Sequence, residues 1–227
     1  MNKNLFVKLI AHSPADLIMK EVDVNTKIIK IFFILFFSFF FFSCINIDTE
    51  ITFRQNLSGD VIIKYSISKA AINIGKIDKY DNFLPLPVEE QKYRELAAKV
   101  NGLDLVSFRK EETESEVFIN VRYEFRDVDA LNAIVSNGAD KKIEVQRRGE
   151  RVTYSQKIVN REKPISEETM ELAKALFQDR YVNIKLTAPQ NIRTVNSGSI
   201  TGASAQVSYN LPALLSDNNS VTWEVVW

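Results

Sequence analysis

Residues 116–125 read EVFINVRYEF, and their alternation decides the fold class. Val117, Ile119, Val121, Tyr123 and Phe125 fall on one face of a strand, with Asn120, Arg122 and Glu124 on the other. One apolar and one polar face is the pattern of antiparallel sheet that packs on a core on one side and meets water on the other. Upstream, Leu103–Phe108 is the natural partner strand, with the charged run Arg109–Glu114 expected as the turn. Downstream, Asp127 is placed to cap a short helix in which Val128, Leu131 and Ile134/Val135 form a stripe, stopped by Asn137-Gly138.

The same grammar extends in both directions. Ile51, Phe53 and Gln55 alternate with Thr52 and Arg54, Leu57–Asp60 is a turn signal, and Val61, Ile63, Tyr65 and Ile67 alternate again, which predicts a hairpin. Asp78–Pro87 reads as a loop. Pro87 suits a helix start, and Tyr93, Leu96, Ala97 and Val100 give a helix over Val88–Val100 with a stop at Asn101-Gly102. A second round follows. Ile143 and Val145 belong to one strand, Arg148-Gly149-Glu150 turns the chain, and Val152, Tyr154 and Ile158 belong to the next. Ser166 then caps a helix over Glu167–Gln178, with Ile165 and Met170 spaced as a hydrophobic staple. The last quarter reads as strand and turn throughout: Val182–Leu186, Ile192–Val195, Val207–Leu211 and Val221–Trp227. The expectation is a single α+β domain of antiparallel hairpins interleaved with about three short helices.

Ahead of this domain lies KIIKIFFILFFSFFFFSC, Lys27–Cys44. Two lysines lead into an apolar run from Ile31 to Phe42, then small Ser43 and Cys44. The run is shorter than the ~20 residues of a membrane-crossing helix and has the layout of a secretory signal. Ser43-Cys44 resembles the lipobox of bacterial lipoproteins, in which the leader is cut before the cysteine and the thiol is diacylated. Phe41 and Phe42 depart from the usual Leu-Ala/Ser pattern. The competing reading is an uncleaved anchor with an incidental cysteine. Glu21 and Asp23 are foreign to a basic leader, and a start at Met19 gives a 25-residue leader inside the usual ~15–30 range. Residues 1–43 are therefore expected to be removed, 44–50 to form a lipidated tether and 51–227 to form the domain.

Composition narrows function by exclusion. Beginning at Cys44, the chain has 184 residues, 24 basic and 26 acidic side chains, a net charge of −2, and no histidine. Balanced charge gives no long-range attraction for nucleic acid. Cys44 is the only cysteine, and His12 the only histidine. Ser-His-Asp and Cys-His catalysis, zinc sites built on those residues, redox pairs and disulfides are thereby excluded from 45–227. No metal or other cofactor is expected.

Few side chains stand out as a site. Tyr80, Phe83, Leu84 and Leu86, in the Pro-containing loop, are the candidate mouth of a lipid-binding pocket, or else a cover for the core. Arg147-Arg148 with Arg151 offers an anion site or an ordinary charged β-turn. Glu89/Glu90 and Glu167/Glu168 sit where helix dipoles account for them. Trp223 and Trp227 share a strand face and are read as core.

VNIKLTAPQNIRTVNSGSITGASAQVSYNL (182–211) and SVTWEVVW (220–227) resemble the C-terminal half of the LppM-type bacterial lipoprotein domain. Thr187-Ala188-Pro189, Asn196-Ser197-Gly198, Thr201-Gly202 and Val221-Thr222-Trp223 carry the resemblance. FRQNLSGDVIIKYSIS (53–68) looks like that family's opening hairpin. Members often carry a C-terminal transmembrane helix, whereas this sequence stops at Trp227. The resemblance implies an envelope role with lipid or glycolipid as a ligand. The expected function is a non-enzymatic, lipid-anchored envelope module that binds or scaffolds another envelope protein. A lipid or glycolipid carrier is the alternative, and a hydrolase built on two carboxylates ~5–10 Å apart stands far behind.

Overall fold

A computed structural model describes residues 46–69, 72–73, 87–136, 142–159, 170–171, 174, 177, 180–216 and 220–227. In chain order its strands are β1 (Ile47–Phe53), β2 (Gly59–Ser68), β3 (Leu103–Glu112), β4 (Glu116–Phe125), β5 (Ile143–Arg148), β6 (Arg151–Val159), β7 (Tyr181–Thr187), β8 (Thr194–Val195), β9 (Ser199–Thr201), β10 (Ser204–Asn210) and β11 (Val221–Val226). Among the described residues three bounded helices join them: α1 (Glu90–Lys99), α2 (Val128–Ser136) and α3 (Leu211–Ser216). Met170, Glu171, Lys174 and Phe177 are also helical, inside the stretch expected as helix 167–178. The fold is α+β. Among the described residues, no helix is long and apolar enough to cross a membrane.

Seven strands make the larger sheet, in the order β3-β4-β2-β1-β7-β10-β9, and four make the smaller, β5-β6-β11-β8. The hairpins expected from alternation are present, β1 with β2, β3 with β4 and β5 with β6, all antiparallel. The β1–β2 turn brings the chain so close to itself that a Cβ on Gly59 would lie 1.9 Å from the Thr52 carbonyl oxygen. Only glycine fits there.

β1 also pairs in parallel with β7, Ile47 opposite Val182 and Thr52 opposite Thr187. This parallel pair joins the first third of the domain to the last.

Three expectations are corrected. β1 begins at Ile47, inside the segment 44–50 expected as tether. Its IDTE sequence lacks apolar alternation, but pairing on both sides satisfies its backbone and leaves Asp48 and Glu50 on the polar face. β3 continues through Arg109–Glu112, so the turn is only Thr113–Ser115. β3 is an edge strand, where charge suppresses pairing with other chains. Lys110 meets Glu89 and Glu112, both at 3.0 Å, and Lys69 meets Glu112 at 3.2 Å. Finally, Leu211–Ser216 is helix rather than strand or turn, with Asn210 Oδ1 accepting from the Ala213 N–H at 3.1 Å.

The core lies between the sheets. Phe53 packs against Phe125, Tyr154 and Trp227, with ring centroids 5.5, 5.9 and 5.7 Å away. It thereby ties the larger sheet to the smaller. Trp223 and Trp227 are both fully buried, as their reading as core requires. α2 starts as expected, Asp127 Oδ1 accepting from the Ala130 N–H at 2.8 Å. Its buried Asn132 holds β5: Nδ2 donates to the Ile143 carbonyl at 2.7 Å, and Oδ1 accepts from the N–H of Ile143 at 2.8 Å and of Lys142 at 3.0 Å.

Candidate functional site

Alternation gives the larger sheet two faces. Val61, Val121, Tyr123 and Leu186 point to the core, and the even-numbered residues of β1, β2 and β4 with the odd-numbered ones of β7 point away from it. The registers align one row of outward side chains across six strands. Arg109 lies opposite Asn120, Asn120 opposite Lys64, Lys64 opposite Asp48, Asp48 opposite Asn183 and Asn183 opposite Ser208. At ~4.8 Å per strand the row spans about 24 Å. Every member is polar.

Part of the row is held in place by its own hydrogen bonds. Asn183 Nδ2 donates to Asp48 Oδ1 at 2.7 Å, and Ser208 Oγ donates to Asn183 Oδ1 at 2.7 Å. Lys64 Nζ donates to Glu50 Oε1 at 2.8 Å. Glu50 stands in the next row with Lys185 and Gln206. Its carboxyl is held below the ordinary value first by the Lys64 hydrogen bond, against a smaller opposing effect of burial. Two depressions open on this face. One of about 530 Å³ lies between Asp48, Glu50, Asn183, Lys185, Ser199 and Gln206. The other, of about 420 Å³, lies between Asn46, Ser66, Arg109, Glu111, Phe118 and Asn120. Asp48 and Lys64 line both. Gly198 closes the first at φ 93°, where a Cβ would meet the Gln206 carbonyl oxygen at 2.0 Å.

This face offers fixed donors and acceptors to a polar partner, with Phe118 as an exposed aromatic ring beside Asn120. Asp48 and Glu50, two residues apart on one strand face, stand ~7 Å from each other, a separation within range for a carboxylate pair. Such chemistry needs one of the two pushed up to act as an acid. Lys64 drives Glu50 the other way.

On the core side, three tyrosines meet under α1. The hydroxyls of Tyr65 and Tyr93 contact each other and both reach the Pro87 carbonyl, Tyr93 at 2.6 Å. Tyr123 donates to the Tyr93 carbonyl at 3.1 Å. Burial pushes Tyr93 up to about 12 and raises Tyr65 and Tyr123 as well. These phenols stay protonated at neutral pH and act as struts.

The residues singled out from sequence fare differently. Ser43, Cys44, Tyr80, Phe83, Leu84 and Leu86, with Glu167 and Glu168, lie outside the described residues. Arg148 and Arg151 flank the Gly149-Glu150 turn, and Arg147 Nη2 donates to the Gln55 carbonyl at 2.8 Å, so the exposed arginines belong to an ordinary turn. Glu89 precedes α1 and Glu90 pairs with Arg94 four residues on. Trp223 Nε1 donates to the Ser197 carbonyl at 2.9 Å. Among the described residues, no group of three or more His, Cys, Asp or Glu could hold a metal ion. The six-strand row went unseen in the sequence. Alternation names each outward residue but not which strands are neighbours.

No family model matches the sequence, and no curated protein matches it. Among solved structures, the NMR structure of the folded domain of LppM from Mycobacterium tuberculosis is similar, with a TM-score of 0.45 and 11% identity over 80% of this chain and 88% of that one. So distant a likeness assigns neither family nor function.

Proposed function

We propose that the protein is a non-enzymatic binding module, held on a bacterial envelope membrane by acyl chains on Cys44, with the outer face of the seven-stranded sheet as its binding surface. The observation that carries this reading is the hydrogen-bonded run Asp48, Asn183 and Ser208, with Lys64 bonded to Glu50 beside it, which fixes polar groups across neighbouring strands before any partner arrives. Preorganised groups of this kind lower the ordering cost of association. Polar residues predominate around both depressions, while much of the surface these expose is apolar carbon, a mixture that suits the contact face of an envelope protein. The leader sequence before Cys44 supports the anchor. Two or more acyl chains suffice for stable attachment, at ~0.8 kcal/mol per buried CH₂.

A photo-crosslinking residue placed at Gln206 or Asn120 in cells, with one at Glu150 as reference, tests the surface. Specific adducts from the two outer-face positions, absent from Glu150, are expected. Adducts from Glu150 alone, or from none of the three, would contradict the assignment of this face.

A further inference from the structure

Resting on the Cys44 anchor proposed above, the geometry points to one end of the seven-stranded sheet, carrying Asn46, Tyr181 and Arg180, as the surface that lies against lipid headgroups. β1 starts at Ile47, and Asn46 is already in place, its Oδ1 accepting from the Tyr181 N–H at 3.4 Å. Two residues of fully extended chain span at most ~7 Å, so Cys44 can stand no further than that from Asn46. A headgroup layer is itself ~5–8 Å thick. The parallel register of β1 with β7 brings Tyr181 beside Asn46, and β10 sets Asn210 opposite Tyr181. An acylated Cys44 therefore leaves no room for a spacer between Asn46 and the bilayer, and the β3–β4 turn at Thr113–Ser115, which extends past Asn46 at the same end, meets the headgroup layer as well. The β1–β2 turn, at the other end of a seven-residue strand, stands ~20 Å further out.

Two side chains at the lipid-facing end suit that position. Tyr181 is 42% exposed, a large aromatic with a hydroxyl at its tip, the type that settles where apolar and aqueous media meet. Arg180, next to it, is 7% exposed. Its backbone is satisfied by Phe177 and Leu211, but its buried Nε has no hydrogen-bond partner among the described residues. A buried N–H left so costs ~1–3 kcal/mol. A phosphate headgroup layer against this end brings negative charge toward that buried guanidinium, which favours this end over an uncharged one.

The test uses protein purified from membranes, its mass read first for acyl chains, then placed in phosphatidylcholine/phosphatidylglycerol vesicles whose acyl chains carry bromine. Tyr181→Trp and Gln55→Trp each add one reporter to the two buried tryptophans, which give a common background. Bromine is expected to quench the Tyr181→Trp signal well beyond that of Gln55→Trp, whose reporter sits on the β1–β2 turn. Equal quenching of the two, or stronger quenching at residue 55, in acylated protein would overturn the orientation and leave the anchor standing. A mass without acyl chains would remove the anchor and the orientation with it.

Discussion

The rings of Phe53 and Trp227 lie 5.7 Å apart, one on the first strand of the larger sheet and the other at the last residue of the chain. Trp227 is held there by its backbone, exchanging hydrogen bonds with Val152 at 2.9 and 3.1 Å. The two sheets thus share one aromatic core.

Truncating either ring should be costly. Phe53→Ala and Trp227→Ala are each expected to lose about 3–5 kcal/mol in urea unfolding. Residues in contact do not add independently, so the double variant should lose less than the sum. Strict additivity would mean that the rings do not support each other.

Asn132 should behave as a bracket. Its side chain satisfies three backbone groups of Lys142 and Ile143, and each buried group left without a partner costs about 1–3 kcal/mol. Asn132→Ala is expected to destabilise by about 3 kcal/mol or more. Asn132→Asp should not rescue it, because a carboxylate replaces the Nδ2 donor. Thermal unfolding of both variants checks this, and a near-neutral Asn132→Ala would contradict it.

Gly198 should resist substitution where Gly149 and Gly202 tolerate it. All three have positive φ, but only at Gly198 does an added Cβ strike backbone. Gly149→Ala and Gly202→Ala should cost about 1–2 kcal/mol, the left-handed penalty alone. Gly198→Ala should cost more and speed amide exchange at Ser199 and Gln206, which face each other across β9 and β10. Equal effects at the three sites would contradict the close approach.

The buried tyrosines set an alkaline limit. An unfolded tyrosine ionises near pH 10, whereas Tyr93 is pushed up to about 12 and Tyr65 and Tyr123 are raised too. Between these values the folded chain holds more protons than the unfolded chain, so stability falls as pH rises. The contribution is complete below pH 10 and is lost progressively above it, that of Tyr93 by about pH 12. Urea midpoints at pH 8–11.5 should show this slope, and Tyr93→Phe should flatten it. Glu50, held down by Lys64, acts at the other end, its smaller contribution present above its ordinary carboxylate range and lost on acidification.

How far the sequence reaches is visible in β4 and β1. EVFINVRYEF alternates without a break, and the strand occupies the expected residues with every odd position buried. IDTEITF carries its apolar signal only in its second half, so the strand's start at Ile47 was hidden. Its parallel partner lies 135 residues away, and nothing local encodes that pairing. The same gap concealed the polar row, since Asp48 and Asn183 acquire meaning only once β1 and β7 are neighbours. Arg109–Glu112 misled for a different reason: a charged run marks a sheet edge as readily as a turn.

The proposed attachment of this sheet to a membrane depends on acyl chains on Cys44. The decisive measurement is the intact mass of the protein purified from membranes, with Cys44→Ser beside it. The expected result is a chain that begins at Cys44 and carries added acyl mass, lost in the variant together with membrane attachment. A full-length, unacylated mass, unchanged in the variant except for the substitution itself, would contradict it and leave residues 31–42 as an uncleaved anchor.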